Sequence, residues 1–249
     1  MTDFLIEHHR AWAPGLDNDH AWQTWAQAPY TPDEQDQQPS CAFLPAMQRR
    51  RLSRLARMVL DAAWPLCGED EQLPLVFASR HGETTRTVAL LGDIADEQPL
   101  SPTQFGLSVH NAIAGQWSIL RGQRGESVAV AGETDGFEHA MLEGALLLAE
   151  GAPSVLVVVA EEKPAPAYAD WIEDVPFSYA AAFRLGGAGS CRDTRGDAPR
   201  WRLQLTRRAG ADASSAWPHA LDFLRALHDG RDSLEHSWKN RRWNWQRLR

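Results

Sequence analysis

The sequence has little cysteine, and the spacing of the few cysteines excludes two classes of protein. Cys41, Cys67 and Cys191 are odd in number, far apart and in no Cys-x-x-Cys pair. A disulfide framework uses an even set of cysteines, and a structural zinc site uses closely spaced ligand pairs. We therefore expect reduced thiols that are buried as small hydrophobic side chains, and no bound metal.

The chain also lacks a long apolar run and a basic leader. Its longest apolar stretch, residues 155–160, is far shorter than the roughly 20 residues that cross a bilayer. The N-terminus MTDFLIEHHRAW has neither the basic nor the apolar part of a secretory signal. These absences predict a soluble cytoplasmic protein.

Positive charge is not in excess, because the formal net charge is -8 at pH 7. A protein that binds a nucleic-acid backbone needs a basic face, so nucleic acid is not an expected partner. The glycine-rich stretch at residues 186–190 has no helix predicted after it, which excludes a phosphate loop. No cofactor is indicated.

Apolar residues make up 43% of the 249 residues, which is enough for one α/β core. We place that domain at residues 41–210. Residues 1–40 are rich in proline and polar residues and predict an irregular arm with one short strand near residues 4–6. Residues 211–249 predict a helix followed by a basic, tryptophan-rich tail. Six of the eleven tryptophans lie near the two ends of the chain, so both ends should pack onto this chain or a partner.

Strand and helix patterns alternate through the middle of the chain. Residues 154–161 form an unbroken apolar run, as parallel strands covered on both faces require. The helix predicted before it, at residues 136–151, is closed by a glycine. Strand, helix, strand is the βαβ pattern of a layered α/β fold. Further helices are predicted at 44–64, 84–91, 109–120 and 216–227, and further strands at 73–78, 127–131, 178–185 and 201–206.

Two segments resemble the ketosynthase branch of the thiolase-like superfamily. They are SPTQFGLSVHNAIAGQWSI at 101–119 and VAVAGETDGFEHAMLEGALLLAEGAPSVLVVVAEE at 128–162. The resemblance implies a thiolase-like half, a layered mixed sheet flanked by helices, in which a strand enters the tight turn that bears the nucleophilic cysteine. The matching residues are Pro102, Phe105, Asn111, Ala114, Gly115, Ser118, Ile119, Arg124, Gly125 and Gly151.

The nucleophile of that family is missing. The ungapped register places Thr134 at the cysteine position, and a shift of one residue, indicated by Gly136, places Glu133 there. The family's cysteine lies at a helix N-terminus, where backbone N–H groups and the helix dipole lower its pKa. A hydroxyl lacks that acidity, and a carboxylate is a poor acceptor of acyl groups. We therefore expect a subunit that does not hold an acyl chain covalently.

The histidines support the same expectation. The resemblance implies two catalytic histidines from a second half, which this chain is not expected to include. The surroundings of His219, His228 and His236 match no histidine motif of the family. We predict that these three are surface or helix-cap residues.

The segments FLPAMQRRRLSRLARM and SRHGE resemble those of ketosynthase chain length factors from aryl polyene and fatty-acid-type gene clusters. The resemblance implies a non-catalytic subunit that pairs with a catalytic ketosynthase as a heterodimer or heterotetramer and completes its acyl tunnel. Such a subunit acts in fatty acid or polyketide chain elongation and meets the acyl carrier protein only indirectly. His110 is expected to hydrogen-bond across the dimer. The residues placed at the tunnel and interface are Thr103, Gln104, Phe105, Leu107, His110 and Asn111.

Two other functions stay open at this point. Ser79, His81 and Glu83, with His110 as a base, supply the residue types of a hydrolytic triad. Residues this close together at a strand end do not imply the geometry of a triad, and no Gly-x-Ser-x-Gly motif is present. His81 is expected either to hydrogen-bond at the strand end or to lie near the acyl tunnel. The other alternative is a purely structural partner that keeps a ketosynthase soluble.

Overall fold

The computed structural model describes residues 1–34, 37–187, 198–207 and 215–248; Cys191 and residues 188–190 of the glycine-rich stretch lie outside them. Within the described residues the chain forms eight α-helices and eight β-strands. The strands are β1 (Thr2–Trp12), β2 (Leu75–Ala78), β3 (Ser127–Val130), β4 (Ser154–Glu161), β5 (Tyr179–Gly187), β6 (Arg200–Arg207), β7 (Ser233–Trp238) and β8 (Arg241–Leu248). The helices are α1 (Asp19–Gln27), α2 (Ala46–Arg49), α3 (Arg54–Ala63), α4 (Thr84–Ala95), α5 (Pro102–Gly106), α6 (Ala112–Arg121), α7 (Gly136–Ala149) and α8 (His219–His228).

The eight strands form one mixed sheet in the order β3-β2-β4-β5-β1-β6-β8-β7. Strands β3, β2 and β4 run parallel to one another, and the remaining pairs are antiparallel. Helices cover both faces of the sheet. The predicted layered mixed sheet flanked by helices is confirmed.

Strand β4 shows how the two faces are built. It is buried along its whole length, and its side chains alternate between two separate hydrophobic cores. Val155, Val157 and Val159 pack in the core that contains α7 and α8. Leu156, Val158 and Ala160 pack in the core that contains α3 and α6. Because both faces of β4 are buried, the strand must be apolar on both faces, and the unbroken apolar run in the sequence therefore predicted the strand correctly.

The short strand predicted near residues 4–6 is confirmed, but the irregular arm predicted around it is wrong for the rest of residues 2–12 and for residues 19–27. Residues 2–12 form β1, which lies inside the sheet between β5 and β6. Its anchors are Phe4 and Ile6, both buried, while His8 and Arg10 interrupt the apolar alternation that identifies strands in a sequence. Helix α1 is capped by Asn18, whose side chain accepts a hydrogen bond from the N–H of Ala21.

The basic C-terminal tail is not a tail. It forms the antiparallel hairpin β7–β8, and β8 also pairs with β6. Trp243 and Trp245 alternate with polar residues and are both buried, so the terminal tryptophans pack onto this chain. Strands from all three predicted segments thus share one sheet, while the domain boundaries at residues 40 and 210 stay a prediction.

The long helix predicted at residues 44–64 is divided in two. Helix α2 ends at Arg49, and α3 begins after Ser53, whose hydroxyl oxygen accepts a hydrogen bond from the N–H of Ala56 at 3.0 Å. A serine in this capping role starts a new helix, because its side chain replaces the missing backbone partner.

None of the helices within the described ranges has the length and apolar character that crossing a bilayer requires.

Candidate functional site at the turn before helix α7

Three parallel strands end at the same edge of the sheet and place polar residues there. Strand β2 leads into Ser79 and His81, β3 leads into the turn at residues 131–135, and β4 ends at Glu161. In α/β sheets the carboxyl ends of parallel strands are the usual place for a ligand site. The turn after β3 is the one predicted to correspond to the nucleophile turn of ketosynthases.

One glycine allows this turn to be tight. A Cβ atom added to Gly132 would lie 2.4 Å from the Cα of Gly136, closer than real Cβ atoms approach backbone. Residue 132 must therefore be glycine for β3 and α7 to meet at this angle. The strand, tight turn and helix implied by the family resemblance are present.

The acidic side chains of the turn are bound to the C-terminal hairpin. The carboxylate of Asp135 is fully buried and accepts hydrogen bonds from Arg241 Nε at 2.5 Å, Arg241 Nη2 at 3.0 Å and Trp243 Nε1 at 2.9 Å. The carboxylate of Glu133 accepts from Trp238 Nε1 at 2.8 Å and from Lys239 Nζ at 2.5 Å. The hydrogen bond from Lys239, and then that from Trp238, lower the pKa of Glu133.

A cavity of about 50 Å³ lies between the turn and the strand ends. This volume holds only a few water molecules, whereas pockets for small molecules are roughly 300–1,000 Å³. Six of its lining residues are Ser79, Thr134, Phe137, Glu161, Tyr179 and His219.

Glu161 is a buried carboxyl group of this cavity, and its pKa is raised. It is buried at the end of β4, and its carboxylate accepts hydrogen bonds from Ser79 Oγ at 3.0 Å, from the Arg80 N–H and from the His81 N–H at 3.3 Å. Burial raises the pKa of Glu161 to about 7, against the effect of these hydrogen bonds. The sequence analysis did not identify this residue, since it lies at the end of an apolar strand with no motif around it.

The hydrolytic-triad alternative is not supported by the geometry. The Ser79 hydroxyl donates to Glu161, not to a histidine, and accepts from the Gly82 N–H at 2.8 Å. His81 Nε2 lies 2.9 Å from Asp174 Oδ1, which is the strand-end hydrogen bond that we expected as one of its two roles. His110 Nε2 donates to the backbone carbonyl of Ser79 at 2.7 Å, so it does not contact the hydroxyl as a base would.

The prediction of surface or cap histidines is wrong for His219 and His236. Both are buried, at 2% and 1% exposure, and both contact the fully buried carboxylate of Glu138. His219 Nδ1 lies 2.9 Å from Glu138 Oε2, and His236 Nδ1 lies 2.5 Å from Oε1. His236 Nε2 is also 3.4 Å from Asp222 Oδ2. His228, by contrast, is half-buried at the last position of α8.

The Glu138 cluster holds a charge pair inside the protein. Burial by itself would raise the pKa of Glu138, but the charges and hydrogen bonds of His219 and His236 outweigh it and lower the pKa. Burial acts against the charged form of His236, yet Glu138 and Asp222 raise its pKa to about 9. One sequence signal was available, because Glu138 is an acid on the apolar helix FEHAMLEGALLLA.

These three residues are also the candidate metal ligands of the described chain, with ligand atoms within 4.8 Å of one another. A metal ion binds an imidazole along the lone pair in the ring plane, at about 2.0–2.1 Å. The rings of His219 and His236 are stacked, with centroids 4.2 Å apart and planes 15° from parallel. Lone pairs of stacked rings run side by side and do not converge, so the arrangement fits two imidazoles hydrogen-bonded to one carboxylate.

The predicted tunnel and interface residues lie on a neighbouring exposed segment. Thr103, Gln104 and Phe105 are in the short helix α5 and are exposed, Phe105 to 61%. Leu107 and His110 are half-buried, and Asn111 is exposed. His110 Nε2 already forms a hydrogen bond within its own chain, so the predicted hydrogen bond across a dimer would have to come from Nδ1. The tunnel and interface roles of these residues stay a prediction.

A larger groove opens on the other side of the turn, beside the edge strand β3. Its volume is about 460 Å³, which is the size of a small-molecule pocket. The groove is lined by apolar residues of β3 and α7 and by the acidic side chains of the turn. Six of these residues are Val130, Glu133, Asp135, His139, Leu142 and Arg241.

Known structures share this architecture. A chain of the ketosynthase (ApeO) in complex with its chain length factor (ApeC) from Xenorhabdus doucetiae is 28% identical, with a TM-score of 0.83 over 99% of this chain and 100% of that chain. The ishigamide ketosynthase/chain length factor is 16% identical, with a TM-score of 0.63 over 83% and 68% of the two chains. A beta-ketoacyl synthase from Burkholderia phymatum is 12% identical, with a TM-score of 0.63 over 93% and 71%. At these lower identities the likeness is one of fold.

A comparison with curated protein sequences found no match. The family model described as beta-ketoacyl synthase, N-terminal domain, matches residues 22–246, which is most of the chain. The resemblance inferred from residues 101–119 and 128–162 is thereby confirmed, and the chain belongs to the beta-ketoacyl synthase family.

Proposed function

We propose that this chain is a chain length factor, a non-catalytic subunit that pairs with a catalytic beta-ketoacyl synthase and helps to shape its acyl tunnel. The observation that carries the proposal is the turn before α7. Where the family has a thiol, this turn has the Thr134 hydroxyl and the carboxylates of Glu133 and Asp135, which are bound to the hairpin. The likeness to a chain of the ApeO–ApeC complex, over almost the full length of both chains, supports the same function.

No other described thiol can replace the missing nucleophile. Cys41 and Cys67 belong to the core on the opposite face of the sheet from α7. Burial raises the pKa of each thiol to about 11, and only the thiolate attacks an acyl group efficiently. The cavity of about 50 Å³ beside Thr134 is also too small for an acyl chain.

The surface around β3 has the properties of a subunit interface. Strand β3 is at the edge of the sheet, so one side of its backbone is available to a partner strand. Six of the thirteen exposed large hydrophobic side chains of the described residues fall between residues 91 and 119, a segment that adjoins β3 through α6. Exposed apolar side chains concentrated in this way are typical of protein interfaces. The six are Leu91, Ile94, Leu100, Phe105, Val109 and Ile119.

The exposed segment at residues 103–107 supplies the tunnel-shaping part of the proposal. Phe105 presents a large ring outside the core of its own chain. In a pair of ketosynthase-like subunits, this ring would limit the space that a growing acyl chain can fill. The complex would be a heterodimer or heterotetramer, and the acyl carrier protein would meet this chain only indirectly. The product would be a fatty acid or polyketide chain, and the sequence resemblance favours the aryl polyene type.

Co-expression with a catalytic beta-ketoacyl synthase tests the function. Size-exclusion chromatography should show one complex, and Phe105→Ala and Gln104→Ala should change the distribution of product lengths while the complex stays intact. Unchanged products from intact complexes would contradict a length-setting role and support the alternative, a structural partner that only keeps the ketosynthase soluble. Arg207→Met is a suitable control, since Arg207 is exposed on β6, away from β3 in the sheet order.

A further inference from the structure

The proposed tunnel segment has little burial to hold it in place. Every residue from 101 to 106 is exposed, and α5 is only five residues long. A short exposed helix of this kind gains little from packing, so its orientation depends on individual polar contacts. One such contact ties α5 to the neighbouring helix α4: Arg86 Nη1 donates a hydrogen bond to Gln104 Oε1.

Arg86 is itself held from the interior of the protein. Its Nε lies 3.4 Å from Glu83 Oε2, and its side chain is only 13% exposed. Glu83 is buried, and its Oε1 accepts a hydrogen bond from Ser53 Oγ at 2.6 Å. Ser53 caps α3, which packs in one of the two cores. A continuous polar chain therefore runs from the capped end of a core helix to the side chain of Gln104.

The series of hydrogen bonds from Ser53 to Gln104 requires an arginine at position 86. The guanidinium group is planar and donates in several fixed directions, so Nε can face Glu83 while Nη1 faces Gln104. The ammonium group of a lysine is a single point charge on a flexible stem and does not fix both directions.

We propose that Arg86 is a positioning residue for product length, which sets the orientation of Gln104 and, through it, that of the adjacent Phe105. Arg86 acts through Gln104 and does not contact the acyl chain. This inference rests on the proposed function, because it assumes that the segment at residues 103–107 lines the partner's tunnel.

The test uses the complex with the catalytic subunit and compares product-length ratios for Arg86→Met, Gln104→Ala, the double variant and Phe105→Ala. Arg86→Met should change the ratio of neighbouring chain lengths in the same direction as Gln104→Ala, by up to about fourfold, the equilibrium worth of one buried methylene. The double variant should match Gln104→Ala alone, because both changes remove the same contact. A merely structural role for Arg86 would not produce this non-additivity.

The outcomes separate the two proposals. If Gln104→Ala and Phe105→Ala change the product ratio and Arg86→Met does not, the role of Arg86 is overturned and the proposed function stands. If none of the variants changes the ratio in an intact complex, the proposed function itself fails. If the Arg86→Met protein does not fold, Arg86→Lys replaces it in the test, because lysine keeps a cation beside Glu83. Arg86→Lys should still change the product ratio, and wild-type products from that variant would overturn the inference.

Discussion

Arg241 forms a two-point salt bridge with the buried carboxylate of Asp135, through Nε–Oδ2 at 2.5 Å and Nη2–Oδ1 at 3.0 Å. The two residues are 106 positions apart in the sequence. The bridge joins the first residue of the C-terminal strand β8 to the residue that precedes α7. The hairpin thus fixes the turn before α7, which is the turn proposed to correspond to the nucleophile turn of ketosynthases.

Arg241→Ala should lower the free energy of unfolding by about 3 kcal/mol, because it leaves a fully buried carboxylate without its cation. Lys239→Ala is the matched control. It removes the ion pair with Glu133, in which both side chains are about half exposed, and should cost much less stability, because solvent screens an exposed pair. Urea unfolding measures both values, and equal losses for the two variants would contradict this account of the hairpin.

Gly132→Ala should prevent the turn from forming as it does here, since the added Cβ would meet the Cα of Gly136 at 2.4 Å. Gly136→Ala has open space around its Cβ and should be neutral, or stabilising by about 0.5–1 kcal/mol, because alanine favours helix. Thermal unfolding of the two variants distinguishes these results. A Gly132→Ala protein as stable as the wild type would show that the turn has another conformation.

The Glu138 cluster predicts how stability depends on pH. His236 has a folded pKa of about 9, above the usual value of about 6.5 for an unfolded histidine. The stabilisation of the folded state by His236 is therefore complete below pH 6.5 and is lost as the pH rises through 9. The melting temperature should therefore fall between pH 7 and 9. The corresponding loss in the free energy of unfolding is on the order of 3 kcal/mol at most.

Glu138→Gln should reduce that pH dependence, because His236 then keeps only the half-buried carboxylate of Asp222, 3.4 Å from its Nε2, to hold its proton. His20→Gln, at an exposed position of α1, should keep it. The pH range matters for this test. The raised pKa of Glu161 makes stability fall as the pH rises from about 4.5 to about 7, and the thiols of Cys41 and Cys67 act above pH 9. A wild-type slope that persists in Glu138→Gln would exclude His236 as its source.

Local patterns in the sequence predicted the central part of the fold well. Strand β4 was predicted at its observed bounds, residues 154–161, because a strand buried on both faces leaves an unbroken apolar run. Helix α7 and strand β3 followed from their own periodicity and from the glycines at their ends. The family resemblance predicted a tight turn between them, which is present, while its match to the nucleophile turn stays a prediction.

Contacts between distant segments were not predictable in the same way. Strand β1 is defined by its pairing with β5 and β6, both more than 150 residues away, and its polar residues hide the alternation of Phe4 and Ile6. Glu138, His219 and His236 meet only when α7, α8 and β7 pack together. The alternating Trp243 and Trp245 were a usable strand signal that the high positive charge of the tail obscured.

The most direct test of the account is the intact mass of each subunit after the complex is incubated with an acyl-loaded carrier protein. The acyl group should appear on the catalytic ketosynthase and not on this chain, because the turn at residues 133–135 has no thiol. An acyl adduct on this chain, or chain elongation by the purified protein without a second subunit, would contradict the assignment as a non-catalytic subunit.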